Sequence, residues 1–69
     1  MKSVSGKRFA RLAVQKGWQL VRITGSHHIF TMEGRTERLV IPIHGNRSLK
    51  TGLQRSLMKI VPLTDDELD

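Results

Sequence analysis

The sequence predicts an α+β domain of order α-β-β-β-α: a three-stranded antiparallel sheet with two helices on one face. Three observations predict it. Apolar residues recur at helical spacing near both ends of the chain. Three short runs of β-branched and aromatic residues lie between them. Glycine-containing turns separate those runs, as in a sheet with one packed face and one open face.

Residues 5–16 read as the first helix. Phe9, Leu12 and Ala13 share a face at i, i+3, i+4, and Lys7, Arg8, Arg11 and Gln15 fall outside it. Ser5 is the expected N-cap, with Val4 and Phe9 as its hydrophobic staple, and Gly17 the expected stop. The first strand is Trp18 to Thr24, the Gly25-Ser26 pair turns the chain, and His27 to Met32 returns. Glu33-Gly34-Arg35 marks the next turn. In the third strand, Arg38 to Ile43, Leu39, Ile41 and Ile43 alternate inward. Pro42 has no N–H to give a ladder, which assigns that strand to a sheet edge. After the polar loop Gly45 to Ser48, a second helix covers residues 50–60. Its expected buried stripe is Leu49, Leu53, Leu57, Ile60 and Val61, and Pro62 ends it. Thr64 and Glu67 have capping-box spacing, so the acidic end is expected to form one more short turn. The whole is one domain, 1–69, with a core over about 4–61 and an acidic tail over 62–69.

A 69-residue chain buries only about 60% of its unfolded surface, which leaves no room for a deep cofactor pocket. There is no cysteine, hence no disulfide and no thiolate metal site, which fits a reducing compartment. No apolar run is long enough for a bilayer, and the N-terminus has no signal-peptide stretch, so the expected location is the cytoplasm. The formal charge is +6 and the pI near 10.9. Residues 1–60 hold all twelve cations but only Glu33 and Glu37; Asp65, Asp66, Glu67 and Asp69 sit in the last five residues. Such a basic body is the electrostatic footprint of a nucleic-acid binder.

Histidine is the side chain that exchanges protons near neutral pH, and two histidines follow the Gly25-Ser26 turn. Neighbours on a strand face opposite ways, so His27 and His28 diverge. If Phe30 points into the core, so does His28, and His27 takes the open face with Ile29; the apolar pattern alone allows either parity. Diverging histidines make poor joint ligands, and with only His44 to add, no metal site is expected. A serine-nucleophile triad is poorly supplied, because Ser26 has no acid nearby apart from Glu33 and Glu37 in or near a turn. RNA cleavage asks for less, since the substrate brings its own 2′-hydroxyl nucleophile. A histidine base and cations on the phosphorane suffice, with Arg22, Lys50 and Arg55 as candidate cations.

These residues resemble a known family. Gly17-Trp18, Leu20-Val21-Arg22, Gly25-Ser26-His27-His28-Ile29-Phe30, Val40-Ile41-Pro42 and a closing helix from Leu49-Lys50 are similar to the HicA toxins of toxin–antitoxin systems, over roughly Val4 to Val61. The resemblance implies a double-stranded-RNA-binding-domain-like fold and a metal-independent endoribonuclease that needs no cofactor. Such an enzyme cleaves mRNA, arrests translation and growth, and is neutralised by a HicB antitoxin covering its active site. It also implies that the histidine directly after Gly-Ser, here His27, is catalytic, with His28 as the alternative. Ser26 and His44 join Arg22, Lys50 and Arg55 as expected RNA-binding residues. Two departures stand out: relatives often open the second helix with Gly-Thr where this chain has Thr51-Gly52, and the tail from Thr64 to Asp69 runs past the common core. The alternative functions are a non-catalytic RNA-binding module of the same fold and a basic protein whose ligand is an acidic partner.

Overall fold

In a computed structural model, which describes all 69 residues, Ser5 opens the first helix as its sequence context dictates. Its hydroxyl oxygen accepts from the Arg8 N–H at 3.0 Å, satisfying one of the orphan donors of α1 (Gly6–Gln15). Val4 and Phe9 are both buried beside that cap, and the helix stops at Lys16 and Gly17. The strands are β1 (Gln19–Thr24), β2 (His27–Thr31) and β3 (Leu39–Pro42). They are followed by α2 (Thr51–Ile60) and a one-turn α3 (Asp65–Leu68).

The sheet order is β1-β2-β3, both pairings antiparallel, so β2 is central and Pro42 lies on an edge strand. Thr24 and His27 pair across the Gly25-Ser26 turn. Of the two turn residues only Gly25 has a positive φ, +60°, as a II′-type hairpin asks of its first central residue. Phe30, Leu39 and Ile41 point inward with Phe9, Ala13 and Trp18, and both helices pack on β3. The helices pack chiefly on β3, and all six residues of β1 are exposed. The α1–β3 contact is close at Gly6, whose Cα faces the Pro42 carbonyl; a Cβ there would lie 3.1 Å from the Pro42 carbonyl carbon and nearer still to its oxygen.

Two expectations give way to the structure. Leu53, assigned to the buried stripe of α2, is 37% exposed, and its neighbour Gln54 is fully buried instead. The reason is an unpaired backbone. Residues 2–5 run alongside α2, where Gln54 Oε1 accepts the Val4 N–H at 3.1 Å and Nε2 donates to the Lys2 carbonyl at 2.8 Å. An apolar side chain would leave those groups unsatisfied. The same segment bridges Ser5 to Ser48, and the Leu49 N–H donates to the Val4 carbonyl at 2.9 Å.

The second concerns the tail, which the sequence places beyond the core. Leu63 and Leu68 are buried in the main cluster. Thr64 caps α3 with the full capping box, and the end of the chain lies along α1. There Arg8 Nη2 donates to the Asp69 carbonyl at 2.8 Å, Lys16 meets Glu67 at 2.7 Å, and Lys2 meets Asp69 at 3.1 Å. Across the molecule Arg35 closes the 32–38 loop. It forms a bidentate pair with Glu37, lies 5.3 Å from the Trp18 ring centre, and reaches the Ile60 carbonyl at the end of α2. The order of elements and the one-sided helices are those of the double-stranded-RNA-binding-like fold.

Candidate nucleic-acid interface

The burial of Phe30 decides the parity of β2. His28 is two residues before it and shares its helix-facing side, in a row with Ile23 and Ile41. It is half-buried, with Nδ1 3.3 Å from the Ser26 carbonyl. A carbonyl only accepts, so the contact is a hydrogen bond in the tautomer that carries its proton on Nδ1. The same carbonyl takes the Ile43 N–H at 2.9 Å, so Ser26 and His28 together fasten the turn to the segment after β3. The Ser26 hydroxyl makes no hydrogen bond.

His27 takes the other side. It is exposed on the open face of the sheet, in a row with Thr24 and Pro42; the next row is Arg22, Ile29 and Val40. Strict alternation along β1 would put Leu20, Arg22 and Thr24 on one face. A bulge between Leu20 and Arg22 resets the register, so Leu20 opposes Phe30 while Arg22 opposes Ile29. Bulges are a recurrent way to re-aim a side chain. Here the bulge turns Leu20 to the Phe30 side, while Arg22, two residues before Thr24, keeps to the His27 face, diagonally across from the imidazole at a Cα separation of about 7–8 Å. Nothing in the run Leu20-Val21-Arg22-Ile23 announces the bulge.

Pro42 is also the near wall of a cleft of about 380 Å³, bounded by His44, Arg47, Ser48, Leu49, Lys50 and Leu53. The structure therefore brings together His44 and Lys50, two of the separate RNA-binding candidates, and adds Arg47. Its only signal in the sequence is its place in the polar loop between His44 and the second helix. Arg55 lies elsewhere on the exposed surface of α2 and does not line the cleft. No three His, Asp or Glu side chains are placed to hold a metal ion together.

The charge around this surface is one-sided. The acidic partners are taken by Lys2, Lys16 and Arg35, while Arg22, Arg47, Lys50 and Arg55 have no carboxylate within salt-bridge distance. Pairing with Arg35 first, and then backbone hydrogen bonding, holds the Glu37 carboxyl below the usual range. The Lys16 ammonium and the Thr64 N–H do the same for Glu67. Neither carboxylate belongs to the sheet, whose three strands hold no acidic residue. No helix is long and apolar enough to cross a membrane.

Against known proteins, the chain matches the family described as the HicA toxin of bacterial toxin–antitoxin over residues 6–62. No curated protein matches it significantly. The match runs from the start of α1 through the end of α2 and takes in both histidines, the bulged strand and the cleft; α3 falls outside it. The chain belongs to the HicA toxin family, whose members are the toxins of toxin–antitoxin pairs and whose counterpart is an antitoxin.

Proposed function

We propose that this chain is an mRNA endoribonuclease that uses His27 as its proton-transfer group and needs no metal. The observation that carries the reading is the placement of His27: an exposed imidazole on an acid-free sheet face, diagonal to Arg22 and one strand from a cationic cleft. His27 takes the proton of a ribose 2′-hydroxyl, whose oxygen then attacks the adjacent phosphorus. The O2′–P bond forms and the P–O5′ bond breaks, giving a 2′,3′-cyclic phosphate. The departing 5′-oxygen takes a proton from the imidazolium or from water. Arg22 neutralises the charge that builds on the phosphorane oxygens. Ile29 and Val40 supply an apolar floor between the two rows. His28 is the alternative base, but its Nδ1 is tied to the Ser26 carbonyl and its ring faces the helices.

The same face is where a HicB-like antitoxin would act by covering His27, and its chemistry there would be acidic, opposite Arg22, Arg47 and Lys50. The expected site of action is the cytoplasm, where mRNA is translated. The test is cleavage of labelled RNA in chelator by the purified chain, together with growth on expression without a partner. His27→Ala is expected to lower the cleavage rate by about 10²–10⁴-fold, the usual worth of a positioned acid–base group, while RNA binding persists. Cleavage by His27→Ala at the parental rate refutes the assignment of the base. RNA binding with no cleavage by the parent chain identifies a non-catalytic module instead.

A further inference from the structure

The cleft beside the histidine row has features that a simple basic surface does not explain. Its volume, about 380 Å³, falls within the size range of small-ligand sites. Its lining is divided by chemistry. Arg47 and Lys50 bring two cations without carboxylate partners, His44 and Ser48 add hydrogen-bonding groups, and Pro42 and Leu53 form an apolar wall. Leu53 is the informative member. A leucine on an amphipathic helix ordinarily turns inward, yet here Gln54 fills the interior and Leu53 stands 37% exposed among charged neighbours. Pro42 joins the cleft to the row that contains His27.

We propose that this cleft is a nucleotide subsite that holds the phosphate and base next to the scissile bond. Arg47 and Lys50 take the phosphate, and the base lies against Pro42 and Leu53. The proposal rests on the RNA reading for its substrate class, but it concerns grip on the strand and is measurable without cleavage. The two halves of the site differ in salt response. Cation–phosphate contacts release counterions, with a slope of about 0.7 per contact for single strands; an apolar wall does not.

The experiment uses the full chain carrying His27→Ala, titrated by fluorescence anisotropy with short labelled oligouridylate, oligocytidylate and oligoadenylate at several salt concentrations. Adding Arg47→Ala and Lys50→Ala is expected to weaken binding by about tenfold or more, since each charged hydrogen bond is worth about that factor. The salt slope should fall by about 1.4. Adding Leu53→Ala instead is expected to weaken binding a few-fold with the slope unchanged and to narrow the differences between the three oligomers. Lys7→Ala with Lys59→Ala, an equal loss of charge outside the cleft, should cost much less; thermal melting confirms that each variant is folded. The subsite is overturned if the Arg47 and Lys50 variant keeps the parental affinity and slope, or if the Lys7 and Lys59 variant matches its loss. Its failure is separable from that of the nuclease reading. An intact chain that cuts RNA while the cleft variants bind normally loses only the subsite, and one that binds through the cleft without cutting loses only the nuclease.

Discussion

Gly6→Ala and Gly52→Ala are the same chemical change at the first turn of two helices, and the structure gives them opposite signs. At Gly52 nothing lies within 4 Å of a new Cβ. The methyl there only restricts the unfolded chain and improves helix propensity, a gain of about 0.4–1 kcal/mol. At Gly6 the methyl meets the carbonyl of Pro42, with the carbonyl carbon at 3.1 Å and Ile43 Cγ1 at 3.4 Å. Neither side can swing away, because a Cβ is fixed to its backbone and the obstacle is backbone too. Relief requires α1 and β3 to separate by about 1 Å, toward the upper end of the roughly 1–3 kcal/mol that overpacking costs. Subtracting the propensity gain leaves a net loss of about 2 kcal/mol, a sizeable part of the roughly 3–10 kcal/mol expected for a domain of this length. A domain this small moves about 4–8 °C in melting temperature per kcal/mol. Gly6→Ala should therefore melt about 8–16 °C below the parent, and Gly52→Ala about 2–8 °C above it. Calorimetry or circular dichroism reads both. Gly6→Ala melting at or above the parental temperature would refute the close approach of α1 to β3. Pro42 faces His27 across the β2–β3 ladder, so the displacement should also lower RNA cleavage by more than the unfolded fraction accounts for.

Gln54→Leu keeps the volume but strands the Val4 N–H and the Lys2 carbonyl, and should lower stability by about 1–3 kcal/mol in urea titrations; a variant as stable as the parent would mean those bonds contribute nothing. Leu68→Ala, in a helix beyond the family match, should cost about 2 kcal/mol because the side chain is 1% exposed, and Lys16→Ala much less because its partner pair is open to solvent. The pH dependence follows from Glu37 and Glu67, whose folded-state pKa values lie below the ordinary 4.5. A depressed carboxyl binds protons less readily folded than unfolded, so its contribution is complete above pH 4.5 and disappears as pH falls through the lowered values. Urea midpoints should be flat from neutrality to about pH 5 and decline below 4.5; Glu37→Gln with Glu67→Gln should shallow that decline.

The sequence yields most where a signal is local. The Ser5 cap, the Gly25 turn, the Thr64 capping box and the edge position of Pro42 each follow from one residue's chemistry, and the five main elements follow from periodicity. Less was legible where the cause lies far along the chain. Gln54 is buried because residues some fifty positions earlier need its amide, so the helical stripe by itself favoured Leu53. The bulge at Val21 has no glycine or proline to mark it. The tail's acids dominate its composition and mask the two leucines, Leu63 and Leu68, that carry it into the core. The histidine parity was undecidable from Ile29 and Phe30, both apolar, until the packing of Phe30 chose. The candidate site was legible in His27 and in His44 and Lys50 as separate candidates; their shared cleft, Arg47 and the wall at Pro42 required the structure.

That folded tail also bears on where a chain with a large positive excess keeps its unpaired charge. Asp69 and Glu67 engage Lys2 and Lys16, the last carbonyls hold Arg8, and Glu37 holds Arg35. Four of the twelve cations are thereby committed to structure. The acids that do this sit on α3 and the 32–38 loop, and none lines the cleft or the His27 face. A random scatter of the same acids would have paired with Arg22, Arg47 or Lys50 as readily as with Lys2 or Lys16, and screened the cleft and the His27 face. Gathering four of the six acids in the tail does two things: it ties the end of the chain to α1, and it leaves the sheet and the cleft without a paired carboxylate. Arg22, Arg47 and Lys50 then keep their charge uncompensated by any neighbouring carboxylate.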